Sequence, residues 1–294
     1  MSGAAAEGRG MAYNREDNSE LRSLQLAELQ LMKIFVKICR KHGLRYFMIG
    51  GTMLGAVRHK GFIPWDDDMD VGMPRADYEK LLEIARDELP EGFSFLDYKR
   101  DDGYKRYFSR IVDDDVLVTN ASYTQSIYEN AWLDIFPIDG TPKSWLGCWL
   151  HFWWMMFLRF LYCASCFEEL VNLNRPNRKW YLKLIIRFLS ATHFGANWDT
   201  KKLLDRIDRG LKKYPYDGSK YGLCLFGAYM TREVMPLSIV GNCADYPFED
   251  SVFKGPEQYD AFLKRLYGDY MTPPKDADKN KHNIAKIEHG KKAS

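Results

Sequence analysis

Apolar positions between Ser19 and His42 fall at Leu24, Ala27, Leu31, Ile34 and Ile38. These alternating steps of three and four residues predict an amphipathic helix, capped by Ser19, ended by Gly43 and serving as a packing element. Arg45–Ile49 is a short β-like run that meets Gly50-Gly51, after which Thr52–His59 carries Met53, Leu54 and Val57 on one helical face. Gly61 and Pro64 mark a loop, and Asp66–Gly72 alternates as a strand should. A helix over 76–89 is predicted from Tyr78, Leu81, Leu82, Ala85 and Leu89, with Pro90 as its stop. Further β-like runs are 93–96, 106–112, 116–120 and 132–136, the last followed by Pro137 and Gly140. Helical patterns follow at about 144–170, 177–192, 199–213 and 257–267.

The order of elements predicts an α+β fold whose mixed sheet is followed by a mainly helical C-terminal half. The expected organisation is a flexible tail over 1–18 and a catalytic core over 19–140. A helical region over 141–271 then completes the site, and a polar basic tail that frays occupies 272–294.

Chemistry enters with the acids. In Ile63-Pro64-Trp65-Asp66-Asp67-Asp68-Met69-Asp70-Val71, strand alternation puts Asp66, Asp68 and Asp70 on one face and turns Asp67 away. Three carboxylates on one face repel unless a cation sits among them, and all-oxygen ligation suits Mg²⁺ or Mn²⁺ rather than zinc. An EF-hand is excluded, because Val71 stands where its turn needs Gly and Asp77 where it needs Glu. Upstream, Gly50-Gly51 lies between a strand and a helix start, where backbone N–H groups can face an anion. The stretch is neither GxxxxGK[ST] nor GxGxxG. Asp134, within the otherwise apolar Trp132-Leu133-Asp134-Ile135-Phe136, needs a partner or a metal, whereas Asp139 reads as a strand-end turn residue. An anion cradle beside metal-binding carboxylates is equipment for phosphoryl or nucleotidyl transfer.

The stretch LRYFMIGGTMLGAVRHKGFIPWDDDMDVGM, Leu44–Met73, closely resembles the signature of the LicD family. That family has the nucleotidyltransferase fold and is related to fukutin and fukutin-related protein. Trp132–Gly140 (WLDIFPIDG) resembles its second motif, and Tyr259–Tyr270 its closing segment. The resemblance implies transfer of a phospho-alcohol such as phosphocholine from a CDP-activated donor to a glycan or lipid-linked glycan hydroxyl. It implies that Asp68 and Asp70 hold Mg²⁺, with Asp66 sharing it. Asp134 would be the third acid, as ligand or as base. Gly50, Gly51 and Thr52 would meet donor phosphates, with Arg58 supporting them. Arg110 stands where the family more often has Lys, so a cation is kept but its grip on phosphate differs. The rivals are transfer of a polyol phosphate (ribitol or glycerol phosphate) and an inactive glycan- or lipid-binding scaffold. The acids Asp66, Asp68, Asp70 and Asp134 argue against the scaffold.

Composition changes the picture at three points. The 42 basic and 40 acidic side chains leave a formal charge of +2, which removes the case for a nucleic-acid binder. The six cysteines are scattered behind an N-terminus without a secretory pattern, which predicts reduced thiols in the cytoplasm, and Cys163/Cys166 read as packing residues. Aromatic residues make up 15% of the chain and crowd into Trp145–Phe167, where Arg159 is the only fixed charge. Followed by Lys179, Lys183 and Arg187 at four-residue steps, this segment reads as a lid or core helix, as an interfacial helix on the cytoplasmic membrane, or as a span. His59 and Lys60 lie in the loop before the acids, and His282 lies in the polar tail.

Overall fold

The computed structural model describes residues 15–120, 127–167, 180–273 and 284–289. Helix α1 (Arg15–His42) begins before the expected cap at Ser19. It lays Leu24 and Ala27 on Val112, Val116, Val118, Ala131 and Trp132 of the sheet, and sends Leu31, Met32 and Phe35 into the main core. Strand β1 (Phe47–Met48) leads into α2 (Gly50–Arg58), and β2 (Asp70–Pro74) into α3 (Arg75–Glu88). The predicted strand at 66–72 is therefore corrected. The chain turns after Ile63, whose carbonyl accepts from Asp66 N at 2.9 Å, and enters the sheet only at Asp70.

Strand β3 (Phe93–Leu96) precedes the two long strands β4 (Ser109–Asn120) and β5 (Ile127–Gly140). The runs read separately at 106–112 and 116–120 are one strand, whose register shifts between Asp113 and Leu117. That irregularity lets β4 pair with β3 along its first half and with β10 (Ile284–His289) along its second. The stretch expected to fray as part of a basic tail thus contributes a strand; His282 lies outside the described residues. Strand order is β1-β2-β5-β4-β10, with β2 parallel to β5 and the other neighbours antiparallel.

The second half has helices α4 (Trp145–Ser165), α5 (Trp180–Thr192), α6 (Thr200–Leu211), α7 (Leu237–Val240) and α8 (Tyr259–Tyr267). It also holds strands that the helical reading passed over: β6 (Tyr221–Leu223), β7 (Val234–Pro236), β8 (Ala244–Phe248) and β9 (Ser251–Gly255). Strand β6 extends the main sheet by pairing with the end of β5, and β8 and β9 form a separate hairpin. The α+β class stands. A second core joins α4 and α6 through Phe152, Met155, Leu158, Ile207 and Leu211, against Tyr98, Tyr107 and Leu225. Asp139 is not a turn residue. It is buried at the end of β5 and ion-paired to Arg75 at 2.7 Å. Among the described residues no helix is long and apolar enough to cross a membrane, which removes the span reading of α4.

Candidate active site

Sheet register assembles the site. Asp70 of β2 pairs in parallel with Asp134 of β5, and Asp134 pairs antiparallel with Arg110 of β4. Residues directly opposite across strands point to the same face, so Asp70, Asp134 and Arg110 stand in one row across the sheet. Arg110 grips Asp134 through Nε at 2.5 Å and Nη2 at 3.3 Å, and also reaches Glu129 at 3.2 Å. Its guanidinium lies 4.7 Å from the centre of the Trp132 ring. Arg110 is therefore placed to hold an acid, whereas the resemblance had it gripping a phosphate.

The acidic turn closes over this row. Asp66, Asp67 and Asp68 each bring a carboxylate oxygen within 4.8 Å of the others. They converge because the chain turns here; strand alternation would have sent Asp67 to the opposite face. Helix α2 begins at Gly50 without a side-chain cap, so its first N–H groups face the same space. Gly50 has φ +53°, a left-handed conformation, and a Cβ there would lie 3.0 Å from Asp70 Oδ2. A Cβ on Gly51 would collide with Asp66 Oδ2. The two glycines thus admit the carboxylates to the positive end of α2, where negative charge is favoured. Thr52, expected to meet phosphate, is buried, and its Oγ1 accepts from Asp70 N at 2.7 Å.

Two residues of α1, read in the sequence only as part of a packing element, belong to this region. Gln25 donates through Nε2 to Asp66 O at 2.9 Å and to Ile63 O at 3.4 Å, so it fixes the turn that carries the acids. Glu28, one turn further on, is fully buried, and neither carboxyl oxygen has a hydrogen-bond partner among the described residues. Burial first, and then Asp68, Asp67, Asp66 and Asp134, push its carboxyl well above the usual range. The sequence did hold a signal, since Glu28 lies between Ala27 and Leu31 within the apolar stripe.

Asp70, although open to the cavity, is driven well above the usual carboxylate range. The cause is first its removal from water and then Asp68, Asp134 and Asp66, with Arg110 acting against them. Asp67 is raised likewise by burial and Asp68. Clustered carboxylates, all offering oxygen, are the donor set of a hard divalent cation. The residues present fit Mg²⁺ or Mn²⁺.

The acids open into a cavity of about 640 Å³ lined by Gly50, Gly51, Arg58, Asp66, Asp68, Asp70 and Asp134. Arg58 is held by Tyr270 O at 2.9 Å and by His59 Nε2 at 2.9 Å, with its guanidinium over Trp65. His59 is therefore tied to Arg58, whereas Lys60 is exposed. Aromatic residues line it as well: Phe108, Phe226, Tyr229 and Tyr267. Among these rings sits Glu233, which no sequence pattern marked. It accepts from Tyr229 N at 3.1 Å, and burial pushes its carboxyl up to about 7.

A mixed sheet carrying clustered acids, a glycine-started helix and an acid-lined cavity defines an enzyme of the phosphoryl-handling class. Residues 43–156 match the family model described as LicD/FKTN/FKRP, nucleotidyltransferase domain. The lipopolysaccharide cholinephosphotransferase LicD of Haemophilus influenzae is 30% identical over 271 residues, covering 90% of this chain and 96% of that protein. Human ribitol 5-phosphate transferase FKRP is 28% identical over 113 residues, 38% of this chain and 21% of its own length. An uncharacterised Rickettsia prowazekii protein is 35% identical over 115 residues, 38% of this chain and 41% of that protein. The chain belongs to the LicD family and is a LicD-like phosphotransferase.

Proposed function

We propose that the protein transfers phosphocholine from a CDP-activated donor to a hydroxyl of a cell-surface glycan or glycolipid precursor. In this reading Asp66, Asp68, Asp70 and Asp134 hold Mg²⁺ or Mn²⁺. The observation that carries it is a single cavity lined by four acids and by aromatic rings with a further carboxylate, Glu233. Its volume lies within the range of small-molecule sites.

The acceptor hydroxyl attacks the donor phosphorus in line, giving up its proton to a carboxylate of the acid cluster as the new P–O bond forms and the bond to the departing CMP breaks. When bound, the cation supplies positive charge against the donor phosphates and the leaving group. Arg110 keeps Asp134 aimed into the cavity, Gln25 keeps the acidic turn in place, and Arg58 offers a fixed guanidinium to phosphate. Positioning and fixed electrostatics carry most of such a rate.

Choline is favoured over a polyol by the aromatic lining. Rings recognise a quaternary ammonium through their negative faces. Tyr229 and Tyr267 stand edge to face with centroids 5.0 Å apart, and Glu233 adds an anion beside them. The human relative is named for ribitol 5-phosphate, which keeps the polyol as the second reading.

The test is CMP release from a panel of CDP-alcohols with Mg²⁺ and candidate glycans. CDP-choline is expected to be turned over fastest, and release from no donor would leave the scaffold reading. Glu233→Gln should raise KM for CDP-choline about tenfold while kcat changes little. Because Glu233 ionises at about 7, the wild-type KM should fall as pH rises through that value and stay flat in the variant. A KM for CDP-choline indifferent to both changes would remove Glu233 from donor recognition.

A further inference from the structure

Helix α4 is apolar on two sides. One side, Cys148, Phe152, Met155, Leu158 and Tyr162, is buried against α6 and the sheet. The other, stepping by threes and fours through Leu146, Leu150, Trp153, Phe157 and Phe160, faces solvent. Trp145 at its start is 70% exposed and Trp153 is 55% exposed. Helix α5 continues the surface, since Leu189 packs on Ala164 and Phe167 at the end of α4 while Leu184, Ile185 and Phe188 remain exposed. Exposed apolar faces of this kind mark an interaction site.

Its charge selects the partner. Helices α4 and α5 themselves carry no Asp or Glu, whereas Lys183 and Arg187 stand exposed one turn apart on α5. On the flank of α4, the Arg206 guanidinium of α6 lies 5.8 Å from the Trp154 ring centre. We infer that α4 and α5 form an interfacial surface that lies on an anionic phospholipid bilayer, with the tryptophans at headgroup depth and Lys183 and Arg187 on lipid phosphates. Trp favours that layer, and basic residues beside an apolar face add electrostatic attraction to it. A second copy of the chain would fit less well. A two-fold contact would oppose the cations of α5 with no acid on either helix to pair them.

The surface is tied to the cavity. Arg159 of α4 donates to Leu225 O at 2.6 Å and stacks on Phe226, and Phe226 and Gly227 line the cavity. A bilayer under α4 would therefore sit close to the active site, within reach of an acceptor carried on lipid. The surface itself does not rest on the transferase reading, and its test uses no substrate.

Cosedimentation of the full chain is compared with vesicles of phosphatidylglycerol and phosphatidylethanolamine and with vesicles of phosphatidylcholine alone. Expected are binding to the anionic vesicles, weakening with added salt, and a blue shift of tryptophan emission. Trp145→Ser/Trp153→Ser and Lys183→Glu/Arg187→Glu should each weaken binding at least about tenfold, since one surface cation contributes several-fold on its own. These side chains are exposed, so both variants should keep the wild-type circular dichroism. No sedimentation with anionic vesicles would overturn the inference, as would binding that both variants leave unchanged. So would a wild-type dimer in light scattering that the tryptophan variant dissolves, which would assign the face to a second copy.

Discussion

Asp70→Asn should lower transfer at least about a thousandfold, the upper end of what one preorganised electrostatic group supplies, and should leave the fold intact. The substitution keeps the shape of the side chain and the backbone bond from residue 70 to Thr52 Oγ1 at 2.7 Å. What it removes is the acid nearest to Asp134 across the sheet. The same change should stabilise the metal-free protein at neutral pH. In the folded chain burial, and then Asp68, Asp134 and Asp66, raise the Asp70 carboxyl above its unfolded value. The native state then binds more protons than the unfolded state, so stability falls as pH rises above the usual carboxylate range. Glu28 and Asp67 are raised in the same direction and add to that slope. Thermal unfolding without metal at about pH 5 and about pH 8 should show the wild type losing more than the variant. Mg²⁺ should raise the wild-type midpoint more than that of the variant, by binding the folded state. Wild-type CMP release from Asp70→Asn would sink the site assignment.

How much of this was legible in the sequence depended on whether a residue's partners are local. The glycine turn and the acids lie within one stretch, Leu44–Met73, and their proximity could be read directly. Their arrangement could not, because alternating acids and apolar residues look alike on a strand and on a turn. Only the pairing of Asp70 with Asp134 decides where β2 starts, and that register depends on a strand more than sixty residues away. Asp139 read as a turn residue for the same reason, since its counter-charge, Arg75, opens α3. Glu28 was an acid in an apolar stripe and could have been flagged, but nothing local says that the stripe faces other acids. The strands β6 and β7 are three residues each, too short to show a period, and exist because β5 offers β6 an edge. Glu233 is placed by the turn before β7, with no motif around it.

Arg75→Ala should cost about 3–5 kcal/mol of folding free energy, the range for breaking a buried ion pair from one side. Arg75 donates from Nε and Nη2 to both oxygens of Asp139 at 2.7 Å, and from Nη1 to Asp208 at 3.2 Å and Glu79 at 3.1 Å. Nη2 also reaches Tyr107 Oη at 2.7 Å, and Tyr107 in turn donates to Asp208 at 3.0 Å. The Asp139 side chain is 1% exposed, so truncating Arg75 strands a carboxylate with no water to replace its partner. Asp208 is less vulnerable, because Lys212 at 2.7 Å and Lys99 at 3.1 Å remain. Burial already holds Asp139 above the usual range against the pull of Arg75. Without that pull its carboxyl rises further, so the deficit should be largest at neutral pH and shrink toward acid pH. Arg75→Lys should recover only part of the loss, since an ammonium cannot reproduce the fork that meets both oxygens. Arg75→Met/Asp139→Leu should recover more, since an apolar pair of similar size leaves no buried charge. Urea unfolding measures all of these, and a loss below about 1 kcal/mol for Arg75→Ala would show that the charges are solvated or paired otherwise. The network is also the seam of the molecule, joining α3 and β5 of the catalytic sheet to α6, which carries α4. In Arg75→Ala the α4–α6 layer should therefore begin to loosen at lower urea than the sheet.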